Sequence, residues 1–263
     1  MTAKKQETFS SLMKEFLYHY DQSTVFDDFL TMTLCAFSRN PKTRLSNDED
    51  LYLERIAKYK ESDLRFHFRK MLDCLTFEME ERISVNEVSD ILGEYYQENL
   101  YKKGSSQYFT PWPICTYMAG ATLEAEDNEQ KGKWPKRILD PACGSGRMLI
   151  AAANAHGRNH HYFGIDIDPV CVKMTTLNLF LNGIFHCEVM QANALLADDY
   201  HGSYRTSIVP FGIFKIENKE KSFLWNFMRE SLKPKFATSD DMKLASEENK
   251  KQGDIKPSQL QMF

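Results

Sequence analysis

No apolar run in this 263-residue sequence approaches the roughly 20 residues that a membrane-crossing helix requires, so a helical span is not expected. Its first residues, Met1-Thr2-Ala3-Lys4-Lys5, lead into an amphipathic pattern. They lack the apolar stretch and small-residue cleavage site of a secretory signal, and a cytoplasmic protein is expected. The six cysteines (Cys35, Cys74, Cys115, Cys143, Cys171 and Cys187) form no C-x-x-C pair. Scattered spacing of this kind argues against metal and disulfide roles and for reduced thiols within apolar stretches, so no metal site is expected. An excess of positive charge is missing as well: 33 Lys and Arg face 37 Asp and Glu, a formal charge of −4, which gives no overall pull toward nucleic acid. Lys102, Lys103 and the basic stretch from Lys131 to Arg137 read as solvated surface. No internal repeat is present.

What is there is an ordinary balance, 42% hydrophobic and 27% charged, in a chain long enough for one substantial core and a smaller appendage. Up to about Tyr101 the apolar residues recur at helical spacing, as in Phe9, Leu12, Met13, Phe16, Leu17 and Tyr20 and again in Phe26, Phe29, Leu30 and Leu34. Arg39 to Lys42 breaks the pattern, and further helices are expected over about 48–60, 62–82 and 85–98, with Ser46 to Glu49 and Ser84 to Glu87 as capping sequences. Then the texture changes. Strands are expected at Arg137–Asp140, His161–Asp166 and Cys187–Gln191, with helices from Arg147 to Ala155 and from Pro169 to Leu181. Alternation of this kind implies parallel βαβ winding. A fourth apolar run, Thr206 to Phe214, and a helix from Ser222 to Leu232 follow. From Lys233 onward the composition is polar, and fraying is expected. The organisation expected is therefore a helical N-terminal domain (1–101), an α/β Rossmann-like core (102–232) and a flexible tail (233–263).

Gly144 and Gly146 stand between a strand and a helix, where a residue without a side chain lets backbone amides approach a ligand. About 20 residues on, Asp166 ends the second strand, where a carboxylate can accept both hydroxyls of an adenosine ribose. Asp168, just before Pro169, reads as the cap of the next helix. Asn193 follows the third strand. Its amide either contacts an adenine ring or supports the local turn. Three consecutive strand ends thus converge on one nucleoside-sized crevice. A nicotinamide cofactor is disfavoured, because Asp140 to Gly146 lacks the first glycine of G-x-G-x-x-G.

Four segments together carry a family likeness: Gly104-Ser-Ser-Gln-Tyr-Phe-Thr-Pro111, Asp140-Pro-Ala-Cys-Gly-Ser-Gly146, Gly164-Ile-Asp-Ile-Asp-Pro169 and Gln191-Ala-Asn-Ala-Leu195. In this order they resemble the motifs of the modification subunits of type I restriction systems and related N6-adenine DNA methyltransferases, over roughly residues 85–200. The resemblance implies S-adenosylmethionine as cofactor and a Rossmann-like methyltransferase fold. It assigns Tyr108, Phe109, Thr110 and Pro111 to the cofactor pocket. Asp140, Pro141, Ala142, Gly144 and Gly146 fall around the methionine moiety, with Asp140 near its amino group, and Asp166, Asn193 and Ala194 fall near the adenosine. DNA and a specificity or other restriction-modification subunit are the partners it implies.

Active members carry Asn or Asp-Pro-Pro-Tyr or Phe after the fourth strand, where the polar side chain holds the adenine amino group and the ring stacks on the flipped base. No Asn-Pro-Pro or Asp-Pro-Pro occurs in this chain. At the matching spacing stand Ile208, Val209, Pro210 and Phe211, and an isoleucine accepts no proton. The expectation is a cofactor-binding protein with impaired catalysis, an incomplete sheet and a regulatory or subunit role. The alternatives are an active subunit completed by a partner and, less well supported, a methyltransferase for a substrate other than DNA. Gln259, Leu260, Met262 and Phe263 at the chain's end resemble short peptides that bind the bacterial sliding clamp, but a strand or helix end tucked on its own domain is the favoured reading.

Overall fold

The computed structural model describes residues 7–38, 48–59, 63–84, 90–101, 109–124, 135–196 and 198–232. The expected tail and the clamp-like peptide lie outside the described residues, as does Tyr108.

The N-terminal helices are α1 (Phe9–Glu15), α2 (Gln22–Phe37), α3 (Glu49–Ala57), α4 (His67–Ser84) and α5 (Ile91–Tyr95), the last continuing as one π turn through Leu100. Their starts follow from capping chemistry. Thr8 and Ser11 form a reciprocal capping box on α1, and Asp21 accepts from the Thr24 amide at the head of α2. The expected cap at Ser84 is not one: Ser84 is the last residue of α4, and Asp90 caps α5 instead, accepting from the Gly93 amide. Helix α6 (Trp112–Glu124) precedes the sheet.

The first three strands fall where the sequence puts them: β1 (Arg137–Asp140), β2 (His161–Asp166) and β3 (Cys187–Gln191), linked by α7 (Arg147–His156) and α8 (Pro169–Leu181). They are parallel, with Asp140 opposite Gly164 and Asp166 opposite Gln191. The fourth apolar run departs from expectation. It folds as an antiparallel hairpin, β4 (Gly202–Ile208) and β5 (Phe211–Ile216), closed through a cis Val209–Pro210 peptide, and β4 pairs with β3. The sheet order is β1-β2-β3-β4-β5, and among the described residues β1 has a neighbour on one side only.

Helix α8 is apolar on nearly every side, and such a helix must be buried all round. One face of it (Cys171, Met174, Leu177, Phe180) joins the aromatic cluster of the N-terminal helices, while Val172 and Leu179 join the cluster on the sheet with Tyr162 and Val189. Lys173 fixes the orientation by reaching Asp27 at 2.6 Å and Thr31 at 2.9 Å on α2. Helix α9 (Phe223–Leu232) covers the opposite sheet face through Leu224 and Trp225 against Phe163, Ile165 and Met190. No helix among the described residues is long and apolar enough to cross a membrane.

Candidate cofactor site

At the end of β1 the chain must reverse into α7 within six residues, and two glycines in left-handed conformation do this, Gly144 (φ 55°) and Gly146 (φ 89°). A side chain at Gly146 would also meet Thr175 of α8 at 3.2 Å, so the loop is packed closely onto that helix. The amide of Cys143 donates to the Ile165 carbonyl (2.9 Å) and ties the loop to β2.

The acidic residues at the strand ends hold this loop from within. Asp166 accepts from the Gly144 amide (2.8 Å) through one oxygen and from the Asp168 amide (2.9 Å) through the other. The Ile167 amide bonds to this carboxylate as well, which leaves part of its acceptor capacity for a ligand. Asp140 accepts from the Ala142 amide (3.1 Å). Burial raises the pKa of both carboxyls above the usual carboxylate value, and the Asp166 charge raises Asp140 further, while the backbone amides oppose the rise. Two desolvated carboxylates facing one crevice repel an anionic pyrophosphate. They suit a ligand that brings an ammonium group and hydroxyls.

Asp168 accepts from the Val170 amide (2.8 Å) and caps α8, with Pro169 in the first turn. Asn193 supports its own turn, accepting from the Leu195 amide (3.0 Å), and its backbone amide is held by Asp199. Ala194 is half-buried beside the α9 cluster, and Pro141 and Ala142 are exposed on the loop. Two apolar residues not assigned from the sequence are exposed after the strand ends: Ile167, 67% exposed, directly follows β2, and Leu195, 85% exposed, lies four residues past the end of β3.

Phe109 is buried and reaches the glycine loop; a side chain on Gly144 would lie 3.4 Å from its ring. It also packs on Tyr96 at 5.6 Å, and the Arg147 guanidinium lies 5.7 Å from its centre. The Thr110 carbonyl is 3.5 Å from both Arg147 and the Cys115 thiol, and the exposed Pro111 begins the turn into α6. Phe109 and Thr110 thus lie against the glycine loop and Arg147, and Tyr108 lies outside the described residues.

Beneath the loop lies a buried ionic hub that the sequence gave no reason to expect. Asp90, wholly buried, accepts from Arg147 Nε (2.5 Å), Asn178 Nδ2 (2.6 Å), Ser145 Oγ (2.7 Å) and the Gly93 amide (2.9 Å). Burial pushes its pKa up, against the pull of Arg147 and the hydroxyl and amide donors. A side chain on Gly93 would fall 2.2 Å from Asp90 and 2.4 Å from Ser145, so only glycine lets α5 seat on the loop.

Ile208, Val209, Pro210 and Phe211 are not at this site. Because β4 runs antiparallel to β3, the hairpin tip lies beyond the first residue of β3, at the end of the sheet away from Asp140 and Asp166. Phe211 packs on Phe180 and Phe185, 5.0 and 5.6 Å away, at the end of α8. The spacing match to a catalytic motif therefore marks a hairpin turn, and the isoleucine there says nothing about catalysis.

A model of the N-6 DNA methylase family matches residues 87–237. A ribosomal protein L11 methyltransferase of Citrifermentans bemidjiense is 34% identical over 77 residues, 29% of this chain and 24% of its own length, so the chain spans about a quarter of that curated relative. Among solved structures, the methyltransferase subunit of a type I restriction-modification system from Streptococcus thermophilus matches with a TM-score of 0.33 and 16% identity, over 71% of this chain and 42% of that one. With the family model covering more than half of its length, this chain belongs to the N-6 DNA methylase family.

Proposed function

We propose that the crevice at the ends of β1, β2 and β3 binds S-adenosylmethionine, and that the chain is the cofactor-binding part of an adenine-specific DNA methyltransferase. The observation that carries this reading is the pairing of two desolvated carboxylates with a glycine-bearing loop, joined by the hydrogen bond from Gly144 to Asp166. Asp140 would hold the ammonium of the methionine moiety and Asp166 the ribose hydroxyls. Ile167 and Leu195 offer apolar walls to the adenine, and the Asn193 amide lies at the same edge. Phe109 and the Thr110 backbone would close the methionine side. The cofactor supplies the methyl group on a sulfonium, a cation that the two carboxylates favour.

Turnover by this chain alone is not proposed, and the reason is topological. Open α/β sheets bind ligands where the strand order reverses, with a strand on either side of the crevice. Among the described residues β1 has β2 on one side and nothing on the other. A subunit role therefore fits better than an isolated enzyme. The same open edge favours a second reading, in which a partner polypeptide lays a strand along β1 and completes an active enzyme on DNA.

Calorimetry with S-adenosylmethionine and S-adenosylhomocysteine tests the first reading: binding is expected, weakened at least tenfold by Asp166→Ala, and absence of binding to either ligand rejects it. For the second, labelled methyl transfer to DNA is measured with the chain alone and with the product of the adjacent gene. Incorporation only in the mixture supports completion, and incorporation by the chain alone refutes the need for it.

A further inference from the structure

At the opposite end of the sheet from the cofactor crevice, on the face that α9 only partly covers, lies a cleft of about 540 Å³. Its volume falls within the roughly 300–1,000 Å³ typical of small-ligand pockets. It is lined by the first residues of β1 and β2, the start of β3, the end of β4 and the head of α9. Along β2 the cleft extends from His161, about 17 Å from Asp166, to Phe163, about 10 Å from it.

The walls of the cleft are aromatic. Phe163 and Phe223 stack at 5.1 Å with 26° between their planes, and His161 lies parallel to Phe163 at 6.5 Å. Phe223 is 36% exposed, and Phe227 also stacks with it at 6.4 Å, so a planar ligand meets the exposed part of the ring beside Arg137. Around these rings basic side chains outnumber the acid. The Arg137 guanidinium sits 5.0 Å over Phe223, His186 is 5.7 Å from His161, and Lys221 and Arg205 line the same space. The acid in the cleft, Glu188, is 1% exposed and already satisfied by Arg205 (2.7 Å) and by the Ser222 hydroxyl and Phe223 amide. Arg137, Lys221, His161 and His186 make no ion pair among the described residues. Burial, and after it the neighbours His186, Arg137 and His160, hold the His161 pKa below the usual imidazole value.

A sheet face intended for a covering helix carries aliphatic residues, and protein interfaces exclude charge from their centres. Two arginines, a lysine and two histidines around an aromatic stack answer to a different ligand. We propose that this cleft binds a nucleotide, with its base against the Phe163–Phe223 stack and its phosphate among Arg137, His161, His186 and Lys221. Aromatic stacking combined with phosphate contacts is sequence-tolerant, so a free nucleotide and one residue of a single strand present the same chemistry. This inference does not rest on the cofactor reading.

The test is calorimetry of the full chain with thymidine 5′-monophosphate, which carries no adenosine for the other crevice, alongside thymidine, orthophosphate and a thymidylate tetranucleotide. Expected is binding of the monophosphate at least tenfold tighter than either thymidine or orthophosphate, lowered at least tenfold by Arg137→Ala and by Phe223→Ala. Should Arg137→Ala fail to fold, Lys221→Ala, on an exposed turn, replaces it, with a loss of at least threefold expected. The tetranucleotide binding more tightly than the monophosphate identifies a strand as the source, and equal affinity identifies the free nucleotide. No binding, orthophosphate binding as tightly as the nucleotide, or affinities unmoved by the substitutions overturn the proposal. So do displacement by S-adenosylmethionine and a self-association that Phe223→Ala abolishes and the nucleotide leaves unchanged.

Discussion

Removing Asp90 should loosen the fold and the glycine loop together. In Asp90→Ala the Arg147 guanidinium, with 8% of its side chain exposed, loses its counter-charge. Breaking one partner of a buried pair costs about 3–5 kcal/mol, because an uncompensated charge is left behind. The Ser145 hydroxyl, the Asn178 amide and the Gly93 amide lose their acceptor in the same stroke. Local rearrangement and water entry offset part of this, so a net loss of about 4 kcal/mol is expected. At about 2–4 °C per kcal/mol for a chain of this size, the melting temperature falls by roughly 8–16 °C. Arg147→Ala strands the carboxylate and should cost a similar amount. The double variant leaves no buried charge, so its loss should fall short of the sum of the singles by about 2 kcal/mol. Urea unfolding followed by circular dichroism gives all three values. Because Ser145 and Arg147 lead into α7 directly from the glycine loop, affinity for S-adenosylmethionine should drop in the single variants even at temperatures where they remain folded. Single losses below about 1 kcal/mol, or strict additivity, would refute the ionic account of how α5 is fastened to the loop.

Gly93→Ala should be nearly as damaging without touching charge, at about 2–3 kcal/mol, since its Cβ would overlap Asp90 at 2.2 Å; a melting temperature equal to wild type would contradict this. The pH response of the crevice follows from the raised Asp140 and Asp166. A carboxyl with a folded-state pKa above its unfolded one opposes folding at neutral pH, and that opposition is lifted as the pH falls through the raised value, so the free protein gains stability from these two groups on mild acidification. Affinity for a cationic ligand runs the other way and should decline over the same window, beginning above the ordinary carboxylate range. Calorimetry across pH 4–8 checks both signs. Ile208→Asn should install no adenine methylation, alone or with a partner, because the residue sits at the far end of the sheet; labelled methyl transfer above the wild-type level would show otherwise. Of the six thiols, Cys74 should react first with a thiol reagent under native conditions, since the other five are buried, while burial raises its own pKa as well; another thiol reacting as fast would contradict the packing.

The sequence by itself determined the local elements and the order of the four segments that resemble methyltransferase motifs. Alternating apolar runs and glycine turns are short-range signals, so β1 to β3, α7 and α8 could be read within a residue or two, as could the cap at Asp168 and the convergence of Asp140, Gly144 and Asp166 on one edge. Parallel winding forces those strand ends together whatever the side chains do elsewhere. Only the tertiary structure decided where the fourth apolar run would go. Spacing along the chain cannot separate a parallel strand beside β1 from a hairpin beside β3, since both bury the same residues, and the answer moved Ile208 to Phe211 from the acceptor site to the far end of the sheet. The hub of Asp90, Arg147 and Asn178 and the basic aromatic cleft of Arg137, His161 and Phe223 were illegible for the same reason: each joins residues separated by tens of positions, and nothing in the sequence around any one of them names the others.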